Sequence, residues 1–221
     1  MLKIQSTSIK AIIFDHDGTL VDSEGIHCAC WNNVLAQFQQ TLSYSQYCED
    51  YNGLPTLETA RRLRAKWQLE TTAESLYQQK IAELNTRLSC APFPLLAGAT
   101  ELLEHLQQLA MPMAIASGAN RHEVQRSITG HRLQPYLQAV STKNDVPHSK
   151  PAPDVYRHAA AQLNVAPQHC LAIEDSDTGE QSARAAGMLC ARLTPKPQRH
   201  KDSLQFETLL DILRWLKSLS T

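Results

Sequence analysis

Five short apolar runs, rich in branched residues, alternate along the chain with stretches whose apolar residues recur every three or four positions. Runs of the first kind are typical of strands buried on both faces, and the longer period is typical of amphipathic helices. Their alternation predicts an α/β fold, an open parallel sheet with helices on both sides. The predicted strands are Ile9–Phe14, Met113–Ala116, Leu137–Ser141, Cys170–Ile173 and Met188–Leu193, and the predicted core helices are Ala99–Leu109, Arg121–Thr129, Asp154–Leu163 and Thr178–Ala186.

The segment from about Gly25 to Ala91 breaks this alternation, because it contains helical patterns and no strand-like run. A helical insertion after the first strand predicts a lid, or cap, domain. We therefore expect a core over residues 1–22 and 96–221 and a cap over residues 23–95. A polar loop, Thr194–Asp202, precedes a predicted terminal helix, Leu204–Leu219. The predicted cap helices are Ile26–Phe38, Ser45–Tyr51, Thr56–Trp67 and Thr72–Leu88.

Composition narrows the class of protein. The 221 residues are 43% hydrophobic and 19% charged, which suits a globular chain with a sizeable core. A net charge of −1 without a basic stripe argues against a nucleic-acid partner. No apolar stretch is long enough for a membrane span or a secretion signal, so we expect a cytoplasmic protein. Six cysteines without a C-x-x-C pair favour reduced core thiols over a zinc site or a disulfide framework.

Charged and hydroxyl side chains follow the predicted strands at the points where they end. Asp15 follows the first strand, Ser117 the second, and Glu174 and Asp175 the fourth, while Lys150 lies in the loop after the third. Ligands of open α/β sheets bind beyond the carboxyl ends of the strands. Carboxylate oxygens suit Mg²⁺, and a lysine with a hydroxyl beside such an ion suits a phosphoryl group.

The stretches that carry these residues form a recognisable set in a fixed order: D-x-D-G-T-L-V-D-S, A-S-G, K-P-A-P-D-V-Y and E-D-S-x-x-G. Together they resemble the four motifs of the haloacid dehalogenase superfamily over nearly the whole chain, up to about Leu193. More narrowly, the chain resembles the β-phosphoglucomutase-like and sugar-phosphate phosphatase subgroup. This resemblance implies a Rossmann-like parallel sheet core with an inserted all-helical cap.

The resemblance also implies how the two aspartates of the first motif act. Asp15 matches the family nucleophile, which attacks phosphorus and forms an aspartyl-phosphate. Asp17 matches the general acid/base, which protonates the leaving oxygen and then takes a proton from the attacking water.

The remaining motif residues are implied to bind the metal ion and the phosphate. Mg²⁺ would be held by the Asp15 carboxylate, the Asp17 main-chain carbonyl and Asp175, with Glu174 as a further or outer ligand. Ser117, the Gly118 amide and Asn120 would hold phosphate oxygens at a helix start. Lys150 would neutralise the nucleophile and the phosphate together.

Each of these residues also has a structural alternative. Asp17 and Gly18 can form a simple turn. Ser117 can cap the helix that follows it, and Lys150 can lie on the surface. Glu174 can form a salt bridge without contacting the metal ion.

Two histidines and a cluster of arginines have no role assigned by the four motifs. His16 departs from the apolar residue often seen between the two aspartates, and strand alternation predicts that it points away from them. His27 falls where some members of the subgroup carry a histidine that couples cap closure to the acid/base, although packing would explain it equally well. We expect Arg61, Arg62 and Arg64 to form a solvated helix face, with contact between one of them and an anionic substrate as the alternative.

The core motifs imply transfer of a phosphoryl group, but they do not indicate whether water or a sugar hydroxyl accepts it. Sugar-phosphate mutases of the subgroup are expected to carry an arginine three residues after the cap glycine, where this chain has Thr56 after Gly53. We therefore expect a monomeric, magnesium-dependent phosphatase acting on a small phosphate ester, with a sugar phosphate as the favoured substrate. A β-phosphoglucomutase-type enzyme and a non-catalytic phosphosugar-binding protein remain alternatives.

Overall fold

The computed structural model describes residues 2–4, 7–197 and 204–219. Strands and helices alternate through most of the chain, and a block of four helices follows the third strand. The strands are β1 (Leu2–Ile4), β2 (Thr7–Ile9), β3 (Ala11–Phe14), β4 (Met113–Ala116), β5 (Ala139–Ser141), β6 (Cys170–Glu174), β7 (Leu189–Leu193) and β8 (Gln205–Phe206). The helices are α1 (Glu24–Ala36), α2 (Tyr44–Asp50), α3 (Thr56–Trp67), α4 (Ala73–Cys90), α5 (Ala99–Gln108), α6 (Arg121–Gly130), α7 (Asp154–Gln162), α8 (Asp177–Ala186) and α9 (Leu209–Leu219).

Six strands form one sheet in the order β5-β4-β3-β6-β7-β8, and every neighbouring pair is parallel. All four residues of β3 are fully buried, which explains why its sequence is a continuous apolar run. Phe14 pairs with Ile115 on β4 and with Ile173 on β6, so these three strands end level with one another. The predicted α/β fold with a Rossmann-like parallel sheet is confirmed.

Small side chains cover one face of the sheet. Ala11 and Ile13 of β3 point to this face, as the two-residue period of a strand requires. Small residues allow helices α7 and α8 to pack closely on the strands, and Tyr156 of α7 is the largest fully buried side chain of this cluster. Tyr156 is thereby brought beneath the sheet edge where β6 ends.

The chain divides into two compact units, Met1–Asp22 with Pro94–Thr221, and Ser23–Phe93. The second unit contains α1 to α4 and has its own apolar core. Its α2 begins with a capping box, in which the Ser43 hydroxyl accepts from the Gln46 amide and the Gln46 side chain accepts in return. The assignment of residues 23–95 to a separate cap domain stays a prediction. Among the buried residues of the helical unit are Trp31, Leu35, Tyr47, Leu63 and Leu76.

The structure differs from the sequence expectations at both ends of the chain. Ile9, expected at the start of the first core strand, belongs instead to an antiparallel hairpin of β1 and β2. The predicted terminal helix is too long, because Gln205–Phe206 form β8 and the helix begins at Leu209. The predicted polar loop Thr194–Asp202 lies partly outside the described residues. Among the described helices, none combines the length and the apolarity that a membrane crossing requires.

Candidate active site

The carboxyl ends of β3, β4 and β6 bring Asp15, Ser117, Glu174 and Asp175 to one edge of the sheet. The main chain stays hydrogen-bonded just beyond the strands: the Asp15 N–H donates to the Ile173 carbonyl at 2.9 Å. The Ser117 N–H likewise donates to the carbonyl of Ser141 at 2.9 Å. The backbone that carries these side chains is therefore held in place by the sheet itself.

Lys150 reaches this edge from the loop between β5 and α7. Its ammonium group lies 2.6 Å from Asp15 Oδ1 and 2.5 Å from Glu174 Oε1, and its side chain is only 9% exposed. Burial lowers the pKa of Lys150, but the charges of Asp15 and Glu174 outweigh it and raise the pKa overall. Lys150 is therefore a buried, permanently charged bridge between two carboxylates, which excludes the alternative of a surface lysine.

Both oxygens of the Glu174 carboxylate accept hydrogen bonds. Oε1 accepts from Lys150 and, at 2.9 Å, from the Tyr156 hydroxyl. Oε2 accepts from the main-chain N–H groups of Asp175 and Ser176 and from the Ser176 hydroxyl, at 3.0 to 3.1 Å. Burial raises the pKa of Glu174, but Lys150 and these donors produce a net lowering. Because a carboxylate offers about four acceptor positions, this geometry favours Glu174 as the anchor of Lys150 over a role as direct metal ligand.

Two glycines allow the acidic side chains to approach the backbone closely. Gly179, in the first turn of α8, lies so close to the Glu174 carboxylate that a Cβ there would overlap it. Gly18 has a φ of +71° and lies against the Asp175 carboxylate in the same way. The Asp17–Gly18 pair thus does form a turn, and that turn also makes room for Asp175.

Asp15, Glu174 and Asp175 place one carboxylate oxygen each within 4.8 Å of the others. Burial, followed by the charge of Glu174, raises the pKa of Asp15 to about 7, although Lys150 acts in the opposite direction. Burial and the charge of Asp15 raise the pKa of Asp175 well above its usual range. The single ammonium of Lys150 does not balance these three carboxylates, of which Asp15 and Glu174 are buried and Asp175 is partly exposed. A hard divalent cation such as Mg²⁺ fits the donor set and would supply the missing charge.

Asp17 lies in the loop that follows β3, and its side chain is 24% exposed. The imidazole of His16 contacts it, with Nδ1 3.1 Å from Asp17 Oδ2. The expectation that His16 points away from the aspartates was wrong, because the strand ends at Phe14 and its two-residue alternation ends there too. Burial lowers the pKa of His16, but the charge of Asp17 and its hydrogen bond shift it upward overall.

Ser117, Gly118 and Asn120 lie on the loop between β4 and α6. The buried Ser117 hydroxyl accepts a hydrogen bond from the Ala119 N–H at 2.9 Å, two residues before the helix begins. Asn120 occupies the N-cap position, but its side-chain amide donates to Glu123 Oε1 at 2.8 Å. Ser117 is therefore not the cap of α6. The predicted phosphate contacts of these three residues stay a prediction.

His27 belongs to α1 of the helical unit. Its Nδ1 lies 3.0 Å from Nζ of the buried Lys80, and its ring meets Phe93 edge to face at 5.3 Å. Lys80 was not predicted from the sequence, although this residue interrupts the buried apolar stripe of α4 and a helical wheel would show the interruption.

The side chains of Arg61 and Arg62 are more than half exposed and pair with Glu58, as a solvated helix face requires.

The chain matches known proteins along nearly its whole length. The family model of haloacid dehalogenase-like hydrolases matches residues 12–193. Protein CbbY of Rhodobacter capsulatus is 32% identical over 205 residues, covering 88% of each chain. Fructose-1-phosphate phosphatase YqaB of Escherichia coli is 33% identical over 180 residues, covering 80% of this chain and 92% of its own. A haloacid dehalogenase family hydrolase of Deinococcus radiodurans, crystallised with phosphate and sodium, superimposes with a TM-score of 0.79 at 23% identity and 97% coverage of both chains.

Proposed function

Because the chain belongs to the haloacid dehalogenase-like hydrolases, we propose that it is a magnesium-dependent phosphatase that acts through an aspartyl-phosphate at Asp15. The substrate is a small phosphate monoester, and a sugar phosphate is favoured. The observation that carries the proposal is the buried Lys150, which bridges Asp15 and Glu174 beside Asp175. A structural ion pair would not need a third carboxylate, that of Asp175, at the same place, whereas phosphoryl transfer needs both a nucleophile and concentrated positive charge.

The proposed reaction has two steps, in which Asp15 is the nucleophile and Asp17 transfers the protons. In the first, a carboxylate oxygen of Asp15 bonds to phosphorus as the ester bond breaks, and Asp17 gives its proton to the leaving oxygen. In the second, Asp17 takes a proton from water, the water oxygen bonds to phosphorus, and Asp15 is released as a carboxylate. Lys150 orients the Asp15 carboxylate for the first step and stabilises it again as the carboxylate that the second step releases. Mg²⁺, when bound through Asp15, Asp175 and the Asp17 carbonyl, would neutralise phosphate oxygens.

Two observations bear on the choice of substrate and of phosphoryl acceptor. Relatives of this chain are named as phosphatases of fructose 1-phosphate and of hexitol phosphates. Thr56, the first residue of α3, stands where a mutase of the family is expected to carry a charged arginine. Water is therefore favoured over a sugar hydroxyl as the final acceptor. We propose that the enzyme is monomeric and cytoplasmic and that it binds no nucleic acid.

The proposal is tested by phosphate release from p-nitrophenyl phosphate and from a panel that includes fructose 1-phosphate, hexitol phosphates and glucose 1-phosphate. We expect release that requires Mg²⁺ and stops when EDTA is added. A mutase would convert glucose 1-phosphate to the 6-phosphate without net release. Binding of these esters without any turnover would instead identify a non-catalytic binding protein, and either result would overturn the proposal.

Replacing Lys150 by methionine should lower kcat/KM for the best substrate by about 100- to 1,000-fold, because the positive charge beside the transferred phosphoryl group is lost. The measurement is steady-state kinetics at saturating Mg²⁺, with circular dichroism to verify the fold. Lys10→Met is the matched control, since Lys10 is exposed and directly precedes β3 at the opposite edge of the sheet. Equal activity of the two variants would remove Lys150 from the mechanism.

A further inference from the structure

His16, the residue between the two aspartates, is locked in place by its backbone and by burial. Its carbonyl accepts hydrogen bonds from the N–H groups of Leu20, at 2.9 Å, and Val21, at 3.1 Å. The imidazole is only 1% exposed. A side chain held in this way cannot turn toward water, so its contact with Asp17 is a fixed feature of the loop.

We propose that His16 is a positioning residue that orients the Asp17 carboxylate for proton transfer. Nδ1 lies 3.1 Å from Asp17 Oδ2 and, when it carries the proton, donates to that oxygen. A donor on Oδ2 holds the carboxylate in one orientation, as an acid that must meet the leaving oxygen requires. This inference rests on the proposed function, in which Asp17 is the general acid.

The surroundings of His16 support a donor role. Nδ1 faces the carboxylate of Asp17, which, when ionised, can only accept a hydrogen bond. An apolar side chain at this place would fill the same volume without a polar contact to the acid. The contact with Asp17 therefore depends on the imidazole of His16.

Orientation of a general acid matters most when the leaving group is a poor one. A sugar alkoxide needs a proton as the ester bond breaks, whereas p-nitrophenolate leaves readily without one. The value of kcat/KM reports events up to the first irreversible step, here the transfer of phosphorus to Asp15. A loss of kcat/KM that is confined to sugar phosphates therefore identifies a defect in the acid, which a general loss of structure would not produce.

The test compares His16→Leu, which fills the space without a donor, with His16→Asn, whose amide offers a donor near the Nδ1 position. For the fastest sugar phosphate, we expect His16→Leu to lower kcat/KM by about 10- to 100-fold, the size of one hydrogen bond to a charged group. For p-nitrophenyl phosphate we expect a loss of less than about threefold, and we expect His16→Asn to recover most of the activity on the sugar phosphate.

A matched control is His169, whose Nδ1 also makes a hydrogen bond, to the Ser8 carbonyl at 3.0 Å. It directly precedes β6, at the opposite edge of the sheet from Asp17. We expect His169→Leu to affect the sugar phosphate and the aryl phosphate equally, because any effect of this change comes from stability alone.

The outcomes separate the inference from the proposed function. Equal losses on both substrates in His16→Leu, or no loss at all in an active wild-type enzyme, would overturn the inference and leave the phosphatase intact. Absence of phosphate release from the wild-type enzyme would overturn both. An independent readout is the ¹⁵N NMR spectrum of the ligand-free protein, in which a proton on His16 Nδ1 is expected and a bare Nδ1 would contradict the inference.

Discussion

Asp15→Asn will abolish phosphate release from every substrate, by about 10⁵-fold or more, because an amide cannot attack phosphorus in place of a carboxylate. Asparagine has nearly the same shape, and Lys150 keeps its second partner, Glu174, at 2.5 Å. The fold should therefore survive, and binding of the substrate should remain measurable by calorimetry. The loss is expected in kcat, with little change in the dissociation constant.

The control for this change is Asp177→Asn, which removes a fully exposed carboxylate two residues after Asp175. It should keep wild-type rates. If Asp15→Asn retained more than about one part in a thousand of the wild-type kcat, after contamination is excluded by mass spectrometry, Asp15 would not be the nucleophile.

Asp17→Asn will lower kcat/KM for sugar phosphates by about 100- to 10,000-fold, the usual contribution of a general acid. The effect on kcat/KM for p-nitrophenyl phosphate should be much smaller, since nitrophenolate leaves without a proton. The second step still needs Asp17 to activate water, so the variant should release one equivalent of nitrophenol rapidly and then turn over slowly. Stopped-flow absorbance measures both phases.

The stoichiometric burst distinguishes an acid/base from a merely structural aspartate. A misfolded variant would lose both phases together, and a variant with unchanged chemistry would show neither a burst nor a slow phase. A steady rate without a burst, reduced equally for aryl and sugar phosphates, would remove Asp17 from proton transfer.

The position of the candidate site at the carboxyl edge of the sheet could be predicted from the sequence. Continuous apolar runs mark buried parallel strands, and the residues that follow such strands meet at one edge. Asp15, Ser117 and Glu174 follow directly from that rule. The contact between Lys150 and Asp15 was expected from the family resemblance alone, since a loop position gives no direction for its side chain. Its contact with Glu174 was not predicted. In the sequence, the preference for a phosphatase over a mutase rests on Thr56, and the names of the relatives add to it.

Other features had no signal that pattern reasoning could use. The two-residue period predicts side-chain directions only within a strand, so it failed for His16, two residues beyond Phe14. The hydrogen bond of Tyr156 to Glu174 joins α7 to β6, and such long-range pairs leave no mark in a single sequence. Strand β8 has two residues, too few to show any period.

The central claim is that Asp15 accepts the phosphoryl group covalently. The most direct measurement is to mix the Asp17→Asn variant with p-nitrophenyl phosphate and Mg²⁺, stop the reaction in acid during the slow phase, and map the modified peptide by tandem mass spectrometry. We expect one phosphoryl group per chain on Asp15, and none on the Asp15→Asn/Asp17→Asn double variant. Release of nitrophenol with an unmodified chain, or with phosphate on another residue, would contradict it.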